Sequence, residues 1–306
     1  MSYQKNSLIT YWIPYYLKQH GLKDTIIEIL FFLDWKFKKL RHDFSKEHTV
    51  KVNGCSLVLI PNDVGISEEL LIYNVHEPFS TNILMKNLRE GMVCLDIGGN
   101  LGYYATLESK MVGKTGKVIA LEPSPVNFKY LERNLDLQNE SNYEALNLAC
   151  GGEDGEVRFL ITPKSNLNRV LKEDEEATSD MNVVKVPVKK LDTFLKEKSL
   201  KKLDLIRMDV EGYEKQILEG GKESIRKFKP MIQVEVHLQR LGKDNTKKLL
   251  EVLKTHGYNS AYCIAREFDV TTKFRDESNM FKTDLEKLLK DLGPPKFRPL
   301  FLLVSY

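Results

Sequence analysis

Two short segments of the chain place acidic residues and a histidine directly at the ends of apolar runs. Asp209 and Glu211 follow the segment DLIRM, and Glu235 and His237 lie within QVEVH. A spacing of two puts both side chains of each pair on one side of an extended strand. Carboxylates and an imidazole can accept a proton from a substrate, and a histidine ordinarily titrates near neutrality. We therefore predict His237, Asp209 and Glu211 as catalytic residues, with His237 as the preferred base.

The same side chains also have other interpretations. His237 could simply be hydrogen-bonded at a strand end, and Glu211 with Gly212 could begin a helix, where an acid stabilises the N-terminal dipole. Asp209, Glu235 and His237 could bind a divalent ion if their side chains converge. Because spacing alone does not define such a site, we assign no metal to it.

A glycine-rich turn follows another apolar run, in the stretch VCLDIGGNLGYYATL at residues 93–107. Glycines at a strand-to-helix junction let the backbone approach a ligand closely and adopt positive φ. The pattern is D-x-G-x-N-x-G, which matches neither the G-x-G-x-x-G of dinucleotide-binding turns nor a P-loop. The turn therefore predicts a bound ligand that lacks a pyrophosphate.

Glu122 is the next acid at the end of an apolar run, GKVIAL. In a doubly wound sheet the second strand ends beside the first, where a carboxylate can accept hydrogen bonds from both hydroxyls of a ribose. Asp96, at the mouth of the glycine turn, suits a cationic amino-acid end of the same ligand. S-adenosylmethionine has both features, and we predict it as the cofactor.

The elements that position these residues can be read from the apolar pattern. From about residue 90 onward, helix-like segments alternate with short strand-like segments at 92–98, 116–122, 145–150, 204–210 and 230–237. This alternation is typical of a parallel sheet with helices on both faces. It predicts an α/β fold with right-handed crossovers.

Further strands are predicted outside this alternation. Segments 155–161 and 183–188 are strand-like and flank an acidic loop, and Asn53-Gly54 predicts a hairpin within residues 49–62. The segment SAYCIA and the C-terminal RPLFLLVSY predict an antiparallel pair that closes the sheet.

Four segments, in this order, resemble the FkbM family of S-adenosylmethionine-dependent methyltransferases: DIGGNLGYY, GKVIALEPSPVNFKYLERN, RMDVEGYEKQILEG and PMIQVEVH. The resemblance covers about residues 90–240. Gly99 stands where the family usually has alanine in DIGAN, and Arg207 stands where it usually has lysine in K-x-D-V-E-G. The second change keeps the charge but alters reach and geometry.

The resemblance implies a class I, Rossmann-like methyltransferase fold, with a seven-stranded, mostly parallel sheet and an antiparallel last strand. It implies methyl transfer, most often to a hydroxyl of a sugar or natural product. Glu122 would hold the ribose, and Glu153 and Asp154 are both candidates for the acid at the adenine amino group. The cofactor-binding residues that it implies are Asp96, Gly98, Asn100, Gly102, Tyr103, Glu122, Pro123, Ser124 and Ala149.

We therefore expect an S-adenosylmethionine-dependent O-methyltransferase that acts on a small molecule or a glycan. The alternatives are an N-methyltransferase with a protein or lipid-linked acceptor, and a cofactor-binding protein without turnover. N-methyltransferases often carry an Asn/Asp-Pro-Pro-Tyr loop after the fourth strand, where this chain has Asp209-Val-Glu-Gly. The acceptor pocket is expected to be built by the N-terminal segment, the loop 160–182 and an insert near 265–296.

Composition limits the partners and the compartment. The 306 residues carry a formal net charge of +3 and show no basic stretch with interleaved aromatic residues, so no nucleic-acid partner is expected. Four scattered cysteines without a CxxC pair are typical of free thiols in a reducing cytoplasm. With no apolar stretch of the roughly 18 residues that span a bilayer, a cytoplasmic location is expected.

The N-terminal residues differ from the rest, and we divide the chain into a helical extension, 1–48, and a methyltransferase domain, 49–306. Apolar residues at helical spacing in the extension end near Lys36 and Arg41. Such a helix could cover part of the core, pair with a second copy in a homodimer, or lie on a membrane surface.

Overall fold

The computed structural model describes residues 13–172, 175–265, 280–291 and 300–305. The chain divides after Lys46 into two compact units. The first contains helix α1 (Ile13–Lys39), which exposes a row of apolar side chains that includes Leu30, Leu33 and Phe37. The predicted N-terminal helix is thus confirmed, and its contact with a membrane or a second copy stays a prediction. Among the described helices, none combines the length and apolarity that a bilayer crossing requires.

The second unit is built on one large sheet. Its strands are β3 (Val93–Ile97), β4 (Lys117–Leu121), β5 (Tyr143–Leu146), β10 (Leu205–Met208), β11 (Met231–Val236), β12 (Ser260–Ala265), β13 (Met280–Asp284) and β14 (Leu300–Ser305). Their spatial order is β13-β12-β14-β11-β10-β3-β4-β5. The strands from β11 to β5 run parallel to their neighbours, and β14 runs antiparallel to both β11 and β12. The mostly parallel sheet and its antiparallel last strand are therefore as predicted, and β13 adds an eighth strand at the edge.

Helices cover the sheet on both faces. They are α2 (Ile66–Tyr73), α3 (Pro78–Asn87), α4 (Tyr103–Val112), α5 (Pro125–Asp136), α6 (Leu191–Glu197), α7 (Glu214–Gly220), α8 (Lys222–Phe228), α9 (Leu238–Thr255) and α10 (Leu285–Asp291). Consecutive strand residues belong to different cores: Cys94 and Val118 pack in one cluster, and Leu95 and Ile119 pack in the other. This alternation explains why the central strands are apolar throughout, since both of their faces are buried.

The smaller strands correct one prediction. Residues 145–150, predicted as one strand, belong to two: β5 in the large sheet, and β6 (Ala149–Gly151) in a sheet with β7 (Gly155–Ile161), β8 (Arg169–Val170) and β9 (Asn182–Lys190). Between them, the Asn147 amide donates to the carbonyls of Glu122 and Pro123, and the chain leaves the large sheet there. The predicted hairpin is confirmed as β1 (Thr49–Val52) and β2 (Cys55–Val58), joined by Asn53 and Gly54 with positive φ.

Candidate active site

The glycine turn follows β3 and lies against the end of β10. Gly98, Asn100 and Gly102 have φ values of 85°, 50° and 95°. A Cβ atom on Gly98 would lie 2.1 Å from the backbone oxygen of Asp209, so only glycine fits there. The turn thus needs its glycines for two reasons, positive φ and close backbone contact with a neighbouring strand end.

Glu122, at the end of β4, is tied to the same turn. Its Oε2 accepts a hydrogen bond from the Asn100 backbone N–H, and its Oε1 accepts one from the Ser124 N–H, each at 2.8 Å. The side chain is buried, and burial raises the pKa of the carboxyl to about 7 although both backbone N–H groups oppose that rise. Each oxygen keeps a second lone pair for a ligand hydroxyl, which agrees with the predicted contact to a ribose.

An open cavity lies at the carboxyl ends of these strands. Eight of the predicted site residues line it: Gly98, Asn100, Tyr103, Glu122, Pro123, Ala149, Asp209 and Glu211. The remaining four predicted site residues do not line it: Asp96, Gly102, Ser124 and His237.

Two of these four residues have structural contacts at helix starts. Gly102 is the residue before α4, and the Ser124 hydroxyl accepts a bond from the Asn127 N–H at the start of α5. Gly102 and Ser124 are therefore the N-terminal cap residues of two helices that begin beside the cavity.

Asp96 lies behind the turn and contacts Arg207. The Asp96 side chain is fully buried, and its Oδ1 accepts a hydrogen bond of 3.0 Å from Arg207 Nη1. Arg207 Nη2 also donates to Asp209 Oδ2 at 3.3 Å, and the guanidinium lies 3.7 Å from the ring centre of Tyr104. Burial raises the pKa of Asp96, and Arg207 opposes that effect. Arg207 thus links the turn to the end of β10, whereas the predicted contact of Asp96 with the cationic end of the cofactor stays a prediction.

His237 follows β11 and is surrounded by four carboxyl groups. We call these four residues the acid cluster: Asp209, Glu211, Glu214 and Glu235. Glu214 Oε1 lies 2.9 Å from Nδ1 of His237. Oxygens of Glu235, Glu211 and Asp209 lie 3.3, 3.4 and 3.7 Å from Nε2. The set that includes His237 and whose ligand atoms all lie within 4.8 Å of one another is Asp209, Glu211 and His237, with Glu211 in place of the Glu235 that the sequence suggested.

The acid cluster changes the expected behaviour of His237. Burial alone would lower the pKa of His237, but the carboxylates of Glu211 and Glu214 raise it well above its usual value. The role of His237 as a base stays a prediction.

Glu211 does not begin a helix. It has a φ of 54°, and α7 starts at Glu214, whose Oε1 accepts a hydrogen bond from the Gly212 N–H. The Glu211 carboxylate instead accepts a bond of 2.6 Å from Arg240 Nε. The positive φ turns its side chain back toward the end of β11 and the cavity.

Several residues of the site were missed at the sequence level. Glu214 could have been found, because it follows Glu211 by three positions at a helix start. His76, which lines the cavity, and Glu77, which accepts a 2.9 Å bond from the Tyr104 hydroxyl, come from the segment before the four family-like blocks and carry no recognisable motif. Ser165 and Asn166 of the loop 160–182 also line the cavity, and the contribution of that loop to an acceptor pocket stays a prediction. Residues 266–279 and 292–299, most of the predicted insert, lie outside the described residues.

Two family models match different parts of the chain. A family model described as "Methyltransferase FkbM domain" matches residues 96–260, which is more than half of the chain. A model of protein-L-isoaspartate(D-aspartate) O-methyltransferase matches residues 17–159, which include the glycine turn but not the acid cluster.

Individual relatives are also methyltransferases. Methyltransferase 1 of Beauveria bassiana is 31% identical over 142 residues, covering 41% of this chain and 57% of its own. The hexuronic acid methyltransferase AglP of Haloferax volcanii is 26% identical over 169 residues, covering 55% and 66%. The chain thus spans about three fifths of the length of the curated relatives that it matches. A crystal structure of methyltransferase FkbM from Methylobacillus flagellatus KT covers 77% of this chain and 52% of its own, with a TM-score of 0.45 and 15% identity.

The strand order, the glycine turn and the family match agree with one another. The predicted class I fold and S-adenosylmethionine as cofactor are both confirmed. The chain belongs to the methyltransferase FkbM family.

Proposed function

We propose that the protein transfers the methyl group of S-adenosylmethionine to a hydroxyl oxygen of a small molecule or a glycan. One observation carries the proposal: a single cavity is lined both by Glu122 with its glycine turn and by the carboxylates of Asp209 and Glu211. A ribose-binding acid and two proton-accepting groups thus face the same space.

The donor half of the cavity has the parts that an adenosyl group needs. The Glu122 oxygens are oriented by two backbone N–H groups and can accept from ribose hydroxyls. Pro123, Ala149 and Phe159 provide apolar walls for the adenine. When bound, the cofactor supplies an electrophilic methyl group on a sulfonium that leaves as a neutral thioether.

The acceptor half must position a nucleophile and remove its proton. Holding the nucleophile in line with the methyl group can lower the barrier by roughly 7–11 kcal/mol. Because Asp209 lines the cavity and His237 does not, we assign proton acceptance to Asp209, whose side chain is 23% exposed. Arg207 contacts its Oδ2 and His237 faces its Oδ1, which fixes the carboxylate at the cavity wall.

One relative supports a sugar as the class of acceptor. AglP is described as a hexuronic acid methyltransferase, which favours a sugar as the acceptor. The isoaspartate O-methyltransferase match ends before β10, so it supports the donor half and leaves the acceptor half open.

Methyl transfer can be tested with S-adenosylmethionine carrying a ¹³C methyl group. The protein is incubated with uronic acids, neutral glycosides, hydroxylated small molecules and amines, and the labelled position is found by mass spectrometry and NMR. We expect label on oxygen, and the Asp209→Asn variant should lose about 10²–10⁴-fold in turnover while it still binds cofactor.

The exposed Glu156 provides a matched control, since Glu156→Gln removes a carboxylate outside the cavity. Label on nitrogen would support the N-methyltransferase alternative. Cofactor binding without any labelled product would support a protein without turnover, and full activity of Asp209→Asn would remove that residue from its assigned role.

A further inference from the structure

Three potential metal ligands meet at the ends of β10 and β11. Ligand atoms of Asp209, Glu211 and His237 all lie within 4.8 Å of one another. His237 Nε2 is 3.4 Å from Glu211 Oε2 and 3.7 Å from Asp209 Oδ1. With octahedral metal–ligand bonds of about 2.1 Å, neighbouring ligand atoms are about 3 Å apart. Small side-chain movements would therefore bring these atoms into one coordination sphere.

The imidazole of His237 is oriented toward this point. Its side chain is only 6% exposed, and Nε2 makes no hydrogen bond within the described part of the chain. Nδ1 contacts the fully buried Glu214 at 2.9 Å. A carboxylate on one ring nitrogen is the usual arrangement that directs the other nitrogen to a metal ion.

The charge around the ring favours a multivalent cation. Four carboxyl groups of the acid cluster face one imidazole, while Arg207 contacts Asp209 and Arg240 contacts Glu211. An imidazolium offsets a single negative charge, whereas a divalent cation offsets two. Burying a charge away from water costs free energy unless an opposite charge compensates it. The acid cluster is therefore a stronger site for a divalent cation than for a proton alone.

We propose that Asp209, Glu211 and His237 bind one divalent cation of the kind that accepts mixed oxygen and nitrogen ligands, such as Mn²⁺. Glu235 flanks the site, with an oxygen 3.3 Å from Nε2. Asp209 and Glu211 line the open cavity, so a cation there is reached from the acceptor side. The existence of the site is independent of methyl transfer, and only its use in binding an acceptor oxygen rests on the proposed function.

Mn²⁺ binding can be measured directly on the full-length, metal-free protein. Titration followed by electron paramagnetic resonance should give one Mn²⁺ per chain. His237→Gln and Asp209→Asn should each weaken binding at least tenfold, and Glu156→Gln should bind as the wild type does. Pulsed electron paramagnetic resonance on the wild type should show coupling of Mn²⁺ to an imidazole nitrogen, a result that does not depend on how well any variant folds.

Three results would overturn the site: no Mn²⁺ binding, equal binding by the wild type and both ligand variants, or bound Mn²⁺ without nitrogen coupling. The last result would place the ion on the neighbouring all-carboxylate group of Glu77, Asp209 and Glu235. Binding of S-adenosylhomocysteine is measured separately. Mn²⁺ binding without methyl transfer would refute the proposed function alone, and methyl transfer unchanged in EDTA with no Mn²⁺ binding would refute the metal site alone.

Discussion

Replacing Glu122 by glutamine should weaken cofactor binding without unfolding the protein. Both carboxylate oxygens accept backbone N–H bonds from Asn100 and Ser124, so an amide must turn its NH₂ toward one of these donors. The variant also loses charge-assisted hydrogen bonds to the ribose, which are worth about 1.5–3 kcal/mol. The dissociation constant should therefore rise about 10- to 150-fold.

The raised pKa of Glu122 adds a dependence on pH. Burial raises this pKa from 4.5 to about 7, so the free carboxyl is mostly ionised at pH 8 and mostly neutral at pH 6. Because the ribose hydroxyls donate to the ionised form, affinity should fall about tenfold from pH 8 to pH 6. In the unliganded protein, the folded state holds this proton more tightly than the unfolded chain. Its stability should therefore fall by about 3 kcal/mol as pH rises from 4.5 to 7.

Calorimetry between pH 6 and pH 8 tests both effects, with 5′-methylthioadenosine as a second ligand because it lacks the ionisable amino-acid end. Glu122→Gln should bind weakly at every pH and lose the pH dependence, and Glu156→Gln should match the wild type. A wild-type affinity that does not change with pH, or a Glu122→Gln variant within twofold of the wild type at pH 8, would refute the reasoning.

Three further predictions concern buried positions. Arg207→Met should lower the free energy of unfolding in urea by about 3–5 kcal/mol, because it leaves Asp96 buried without its cation; an unchanged midpoint would contradict this. Glu108→Leu should raise stability by about 1–3 kcal/mol, since neither carboxyl oxygen has a hydrogen-bond partner among the described residues. Burial raises the pKa of Glu108, so its proton is held in the fold, and the gain should grow as pH rises. Gly98→Ala should abolish cofactor binding, because its Cβ would meet the Asp209 backbone oxygen at 2.1 Å; wild-type affinity would show that the turn can shift.

The parts of the site that depend on strand ends were predictable from sequence. The carboxyl ends of parallel strands meet at one edge, so the apolar pattern alone assigns Glu122 and Asp209 to the same space. The positive φ of Gly98 and Gly102 follows from the same reasoning, because a tight strand-to-helix turn requires it.

The parts that depend on contacts between distant segments were not predictable. The pKa of His237 is raised by Glu211 and Glu214, which reach it from another strand end. Arg207 departs from the family pattern, but its link between Asp96 and Asp209 requires the register of β10 beside β3. The apolar periodicity shows which side chains are apolar along one segment. These electrostatic contacts are made between segments, so the periodicity does not predict them.

A crystal structure with S-adenosylhomocysteine tests the central claim most directly. We predict that both ribose hydroxyls will donate to Glu122, and that the sulfur will face Asp209 across the cavity. An adenosine bound elsewhere, or a sulfur directed away from Asp209, would contradict the assignment of this cavity as the site of methyl transfer.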